Sequence, residues 1–256
     1  MVGNDHPDVA ASYLNTGVVY ENQGKYEEAL VQYHKCLEIE IRVLGDEHPS
    51  VAASYNNIGN IYQQQGKLEE ALVQHTKSLD IRIKVYGGDH PDVAASYLNI
   101  GVVYDRQGKY EEALEYYQKA LQIDIRVHGG EHPLVADSYN NVGNVYDSQG
   151  KYEEALVQHM KSLDIRIKVY GGEHPSVADS KYNMALLHKR RGEMETARQL
   201  FLECETIYAK VYEPDHSETL DAARQASLSC VSESKHVLQC CSERLIPHLH
   251  TKRWLQ

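Results

Sequence analysis

The feature that most constrains this chain is a strict period. His-Pro occurs at His6-Pro7, His48-Pro49, His90-Pro91, His132-Pro133 and His174-Pro175, always 42 residues apart, and His216 continues the series without its proline. Gly24, Gly66, Gly108, Gly150 and Gly192 keep the same step. No insertion interrupts it, so five units share one shape, which is the mark of a repeat architecture. A unit of this size cannot bury an apolar face alone and must stack on its neighbours.

Alternate units are more alike than adjacent ones. His48 to Asp89 and His132 to Glu173 differ at nine positions, which points to duplication of a doublet. Copying also explains why tyrosine occurs 19 times while Phe and Trp occur once each. Repetition therefore records history as well as selection at each position.

Within a unit the punctuation predicts two helices. In the third unit, Pro91 suits a first helical turn, where a missing N–H costs nothing. Val93, Ala94, Tyr97, Ile100, Gly101 and Tyr104 follow at helical spacing, and Gly108 supplies a C-terminal stop. A second helix starts near Tyr110, with Glu111 and Glu112 at the positive end of its dipole. Ala113, Leu114, Tyr117, Ala120, Leu121, Ile123 and Ile125 form its apolar stripe, and Gly129-Gly130 closes it. Gly101 lies inside a helix, where glycine costs roughly 1 kcal/mol relative to Ala. Gly17, Gly59 and Gly143 repeat the choice, and Ala185 takes the place in the fifth unit. Close approach of the paired helices is the expected reason, with Ala113 and its equivalents facing the glycine.

Tyr97, Ile100, Gly101, Tyr104, Gly108, Tyr110, Ala113, Tyr117 and Ala120 resemble the tetratricopeptide signature. The usual period is about 34 residues, and the surplus here falls in Ile123 to Gly130. That longer unit, with a loop such as Val85 to Ala94, is similar to the kinesin light chain type. The resemblance covers roughly residues 3 to 216 and implies an all-α fold, a right-handed α-solenoid of stacked antiparallel helix pairs. It implies a non-catalytic scaffold that holds a partner protein or peptide in a concave groove. A kinesin-type motor complex is the narrower alternative; the heptad coiled coil that kinesin light chains carry ahead of their repeats has no counterpart before Gly3. Self-association into a structural solenoid is a further alternative, and the oligomeric state stays open.

In the family, the first helix of each pair lines the groove. By position its inner stripe holds Asn15, Asn57, Asn99, Asn141 and Asn183, and the even units add Asn56, Asn60, Asn140 and Asn144. An amide offers both donor and acceptor to a peptide backbone. Asn is a mediocre helix former, so five occurrences in mid-helix want a reason. The other reading is that the amide braces the neighbouring helix and was copied. Charge along the stripe is mixed: Arg106, Lys189 and Arg190 are positive, and Asp105, Asp137, Asp147 and Asp179 negative. Only the fifth unit, with Asn183, Lys189 and Arg190, approaches a clamp for a peptide carboxylate.

Composition and spacing exclude other classes. A net charge of −11 argues against nucleic acid and against a polybasic membrane anchor. No window approaches the roughly 18 apolar residues of a membrane span, and Met1 to Pro7 lacks signal-peptide features. Five cysteines form neither a zinc spacing nor an even framework, so a reducing cytoplasm is the simplest setting. The periodic histidines sit one whole unit apart, far beyond shared coordination at about 2 Å. Gly108-Lys109-Tyr110 lacks the earlier glycine and the following Ser or Thr of a phosphate loop. Glu111 and Glu112 are adjacent on a helix and do not face each other. His75 and His159 stand where other units carry Tyr33 and Tyr117, a position for a hydrogen-bonded core group. Cys36 and Cys204 take a small-residue packing position. An enzyme would need an asymmetric cluster of unlike groups, whereas the groove repeats, so neither catalysis nor a cofactor or metal is expected.

Beyond His216 the pattern fades. Residues 217–229 read as a capping helix with Leu220, Ala223 and Ala226 on one side, which places the repeat domain at 1–229. Residues 230–256 read as a tail that is either disordered or folded back as a short helix.

Overall fold

The computed structural model describes residues 6–212 and 215–229. Among them are eleven helices and no strand: α1 (Pro7–Asn22), α2 (Tyr26–Leu44), α3 (Pro49–Gln64), α4 (Leu68–Tyr86), α5 (Pro91–Arg106), α6 (Tyr110–His128), α7 (Pro133–Ser148), α8 (Tyr152–Tyr170), α9 (Pro175–Arg190), α10 (Met194–Val211) and α11 (Ser217–Ser229). They fall into two compact units, Met1–Val145 and Tyr146–Gln256. In the first, α1 packs on α2, α3 on α4 and α5 on α6; in the second, α9 packs on α10 and α10 on α11. This is the all-α, paired-helix solenoid class expected from the period. The segment read as a tail, 230–256, lies outside the described residues.

The periodic histidines are caps. The His90 Nδ1 accepts the N–H of Asp92 at 3.1 Å, and His6, His48, His132 and His174 do the same for the residue two positions on. Each such bond satisfies one of the donors that a helix start leaves orphaned. The ring also stacks on the last aromatic of the preceding helix. The centroids lie 4.1 Å apart for Tyr86–His90, 4.5 Å for His128–His132 and 4.4 Å for Tyr170–His174. One residue thus starts a helix and ties it to the end of the last.

The first helix of each pair ends on a left-handed glycine. Gly108 has φ +72°, and the Lys109 N–H reaches back to the Tyr104 carbonyl at 2.9 Å, closing the helix as a Schellman turn does. The Lys109 ammonium then lies 5.7 Å from the Tyr104 ring centroid, close enough for a cation–π contact.

The helical glycines do mark a close approach, but the neighbour differs from the expected Ala113. A Cβ at Gly101 would stand 2.6 and 2.7 Å from Tyr117 ring carbons; at Gly17 the obstacle is Tyr33, and at Gly59 the His75 ring at 2.7 Å. The second helix lays a whole ring on the bare backbone of the first. Tyr33 finishes its contact by donating its hydroxyl to Glu21 Oε2 at 2.6 Å. His75 is the exception to the expectation of a satisfied core histidine: it is fully buried, and neither ring nitrogen has a hydrogen-bond partner. Burial holds it, like His159, well below the ordinary imidazole range, at about 4.

Successive pairs are joined by a serine on the first helix and a changing residue on the second helix before it. Ser54 donates to Glu40 at 2.6 Å, Ser138 donates to Asp124 at 3.0 Å, and Ser96 and Ser180 accept from Arg82 and Arg166 at 2.8 and 2.9 Å. All four serines are buried. Around these joints pack Val51, Ile58 and Ile61 in one unit and Val93 and Ile100 in the next, each essentially without solvent contact. Cys36 and Cys204 are buried packing groups as expected, their thiols pushed up to about 11 and about 12 by desolvation. In α11 the buried side is Thr219, Ala222, Ala226 and Ser229, and Leu220 is 54% exposed. The helix expected there forms, turned so that Leu220 faces outward.

Candidate functional site

In the first unit, the outward stripe of each first helix follows from helical spacing i, i+4, i+7. It reads Ala11-Asn15-Val18 on α1, Ala53-Asn57-Asn60 on α3 and Ala95-Asn99-Val102 on α5. Asn15 and the three alanines are exposed, and Asn57, Asn60, Asn99 and Val102 are half-buried. The small alanine beside each asparagine leaves the helix surface open to an approaching backbone.

Consecutive first helices touch along this stripe. Asn99 Nδ2 donates to Asn56 Oδ1 at 2.7 Å, and the Arg106 guanidinium donates to the Gln63 carbonyl at 3.0 Å. Gln64 Nε2 donates to Glu21 Oε1 at 3.2 Å. All three contacts span 43 residues, one unit plus one. Asn15, Asn57, Asn60 and Asn141 make no hydrogen bond to the described residues. Asn140 and Asn141 are half-buried and Asn144 is exposed at the same register of α7. The structure therefore sets the asparagine stripe on partly open surface and ties two of its members, Asn99 and Asn56, to each other. Asp105 stands near Arg106, and burial raises its carboxyl above the usual range despite that guanidinium.

The second unit has a site of its own. Asn183 lines a cavity of about 380 Å³ with Asp179, Tyr182, Tyr208, Ser217, Glu218 and Asp221. Tyr208 donates to Asp179 at 2.6 Å and Tyr182 donates to Asp221. Burial first, and those carboxylates second, push both phenols far up. Lys189 donates to Gln225 Oε1 at 2.9 Å, and Arg190 is paired with Asp147. The two cations considered for a carboxylate clamp thus carry partners from their own chain. Sequence reading missed Tyr182, Tyr208, Ser217, Glu218 and Asp221, because the cavity closes only where α11 meets the fifth repeat, and no period announces the contacts of α11. Among the described residues no three His, Cys, Asp or Glu side chains converge as a metal site, and no helix is long and apolar enough to cross a membrane.

The tetratricopeptide repeat family matches residues 8–84, 51–126, 106–168 and 149–210. The chain belongs to that family. A candidate kinesin light chain of Podosopora anserina, built of nearly identical TPR-like repeats, superposes with a TM-score of 0.70 at 26% identity, over 81% of this chain and 99% of that one. BtubC (BKLC) from P. vanneervenii superposes with a TM-score of 0.68 at 23% identity over 78% and 80% of the two chains, which speaks to fold alone. So does the apo form of RapI, with a TM-score of 0.68 at 16% identity over 85% and 81%. No curated protein matches the chain. These comparisons make it a tetratricopeptide repeat protein of kinesin light chain type, a fold whose members are protein–protein interaction scaffolds.

Proposed function

We propose that this tetratricopeptide chain is a non-catalytic scaffold that grips a segment of a partner protein along the asparagine stripe of its first helices. The observation that carries the reading is the set of amides at Asn57, Asn60 and Asn141. They sit on partly open helix surface, at the register that the family resemblance assigns to the groove, and their side chains make no hydrogen bond to the described residues. An amide with donor and acceptor both available can bind a peptide backbone whatever its side chains. Asn15, Asn140, Asn144 and Arg106 extend that surface, and Asn183 holds the same register in the second unit.

The narrower reading is a cargo adaptor of a kinesin-type motor. It is supported by the likeness to a candidate kinesin light chain over nearly all of that chain. The test for the broader reading is a peptide-array screen with the full chain beside a variant carrying Asn57→Ala, Asn60→Ala and Asn141→Ala together. Peptides bound by the wild type and lost in a still-helical variant support the stripe; unchanged binding sinks it. Capture of a kinesin heavy chain by the same protein separates the adaptor from other scaffolds. Mass that grows with concentration, without peptide affinity, would favour self-assembly instead.

A further inference from the structure

The constant asparagine is two kinds of residue. In α5, Asn99 donates its amide to Asn56 of α3, 43 residues away. By the same 43-residue step, Leu14 of α1 corresponds to Asn57 of α3, and Leu98 of α5 to Asn141 of α7. Leucine has nothing to accept with, and neither Asn57 nor Asn141 makes a hydrogen bond to the described residues. The cause is the doublet. Odd first helices carry Leu14 with Val18 and Leu98 with Val102 where even ones carry Asn56 with Asn60 and Asn140 with Asn144. Leu14, Leu98 and Val102 are half-buried and Val18 is 40% exposed, so these apolar pairs remain partly open.

Building on the scaffold reading above, we propose that Asn57 and Asn141 are the amides that bind a partner backbone, and that Asn99 is a brace. Each working amide stands next to an apolar wall, Asn57 by Leu14 and Val18, Asn141 by Leu98 and Val102. A subsite of this composition takes one apolar side chain on the wall and one backbone group on the amide. Helices in side-chain contact lie about 8–10 Å apart, so two such subsites are separated by about 16–20 Å. At about 3.3 Å per residue of extended chain, the ligand is an extended peptide with apolar side chains roughly five or six residues apart. Its polar residues lie between them, over Asn56 and Asn60.

The test selects a displayed library of random peptides, about 12 residues long so as to span both subsites at 3.3 Å per residue, against the full chain. The binders are expected to show the apolar interval. Asn57→Ala and Asn141→Ala should each weaken a selected peptide about three- to tenfold, the worth of one hydrogen bond. Asn99→Ala should leave its affinity nearly unchanged while lowering the urea midpoint. A second variant, Asn56→Leu, gives α3 the wall that α1 carries and frees Asn99, so that Asn99→Ala then weakens binding in that background. Equal loss from all three alanine substitutions, or binders with no interval, would overturn this inference and leave the scaffold reading standing. Binders indifferent to all three, or no binders, would overturn both.

Discussion

Lowering the pH from 7 to 5 should destabilise this fold by about 2 kcal/mol at His75 alone. The ring is fully buried against Gly59, neither nitrogen has a partner, and burial holds the folded imidazole at about 4. In the unfolded chain it titrates near 6.5. Between those values the unfolded state binds the extra proton, so stability is complete above about pH 6.5 and falls as the pH drops toward 4. Each pH unit inside that window is worth about 1.4 kcal/mol, which gives about 2 kcal/mol at pH 5. His159, held down in the same direction, adds a comparable loss. Asp105 and Asp124, whose carboxyls burial raises, work with the opposite sign, so a comparison with a variant isolates the histidine. His75→Tyr is the right variant: Tyr33 and Tyr117 occupy the same place over Gly17 and Gly101. Urea unfolding followed by circular dichroism at pH 7 and pH 5 measures the loss. Hydrogen exchange of the α4 amides assigns it to this pair if the array melts in steps. If His75→Tyr lost as much stability on acidification as the wild type, the unpartnered buried imidazole could not be its source.

Three further outcomes are expected. Gly59→Ala places a Cβ 2.7 Å from the His75 ring; overpacking of about 1–3 kcal/mol should exceed the roughly 1 kcal/mol gained in helix propensity, and a raised urea midpoint would contradict that packing. His90→Ala removes both the cap on α5 and the stack on Tyr86, so thermal unfolding should show a loss of about 1 kcal/mol. Tyr33→Phe deletes the 2.6 Å bond to Glu21 and should cost about 1.5–3 kcal/mol, as bonds to charged groups do; an unchanged urea midpoint would show that water replaces the hydroxyl without loss.

The fold was legible because its punctuation is chemical. Pro91 and its copies start each first helix, Gly108 and its copies end it, and Gly129 closes the second, all at the boundaries the period implied. What lay across each glycine was not legible, because periodicity gives a residue's face but not its reach. Ala113 shares the face, yet Tyr117 has the length to cover Gly101. The site was half-legible for a related reason. The asparagines stand out by position, but the bond from Asn99 to Asn56 joins residues 43 apart and depends on how two units meet. The partners of Lys189 and the orientation of Leu220 belong to α11, where the repeat has stopped supplying information.

The serine joint has a consequence for ancestry. Across from Ser54, Ser96, Ser138 and Ser180 stand Glu40, Arg82, Asp124 and Arg166. A hydroxyl both gives and takes a hydrogen bond, so the same serine closes on either charge. At this joint either kind of second helix can therefore precede a first helix, and a unit inserted or deleted by unequal crossing-over leaves the serine bonded. A gene built this way can change length one unit at a time with no compensating mutation at the serine.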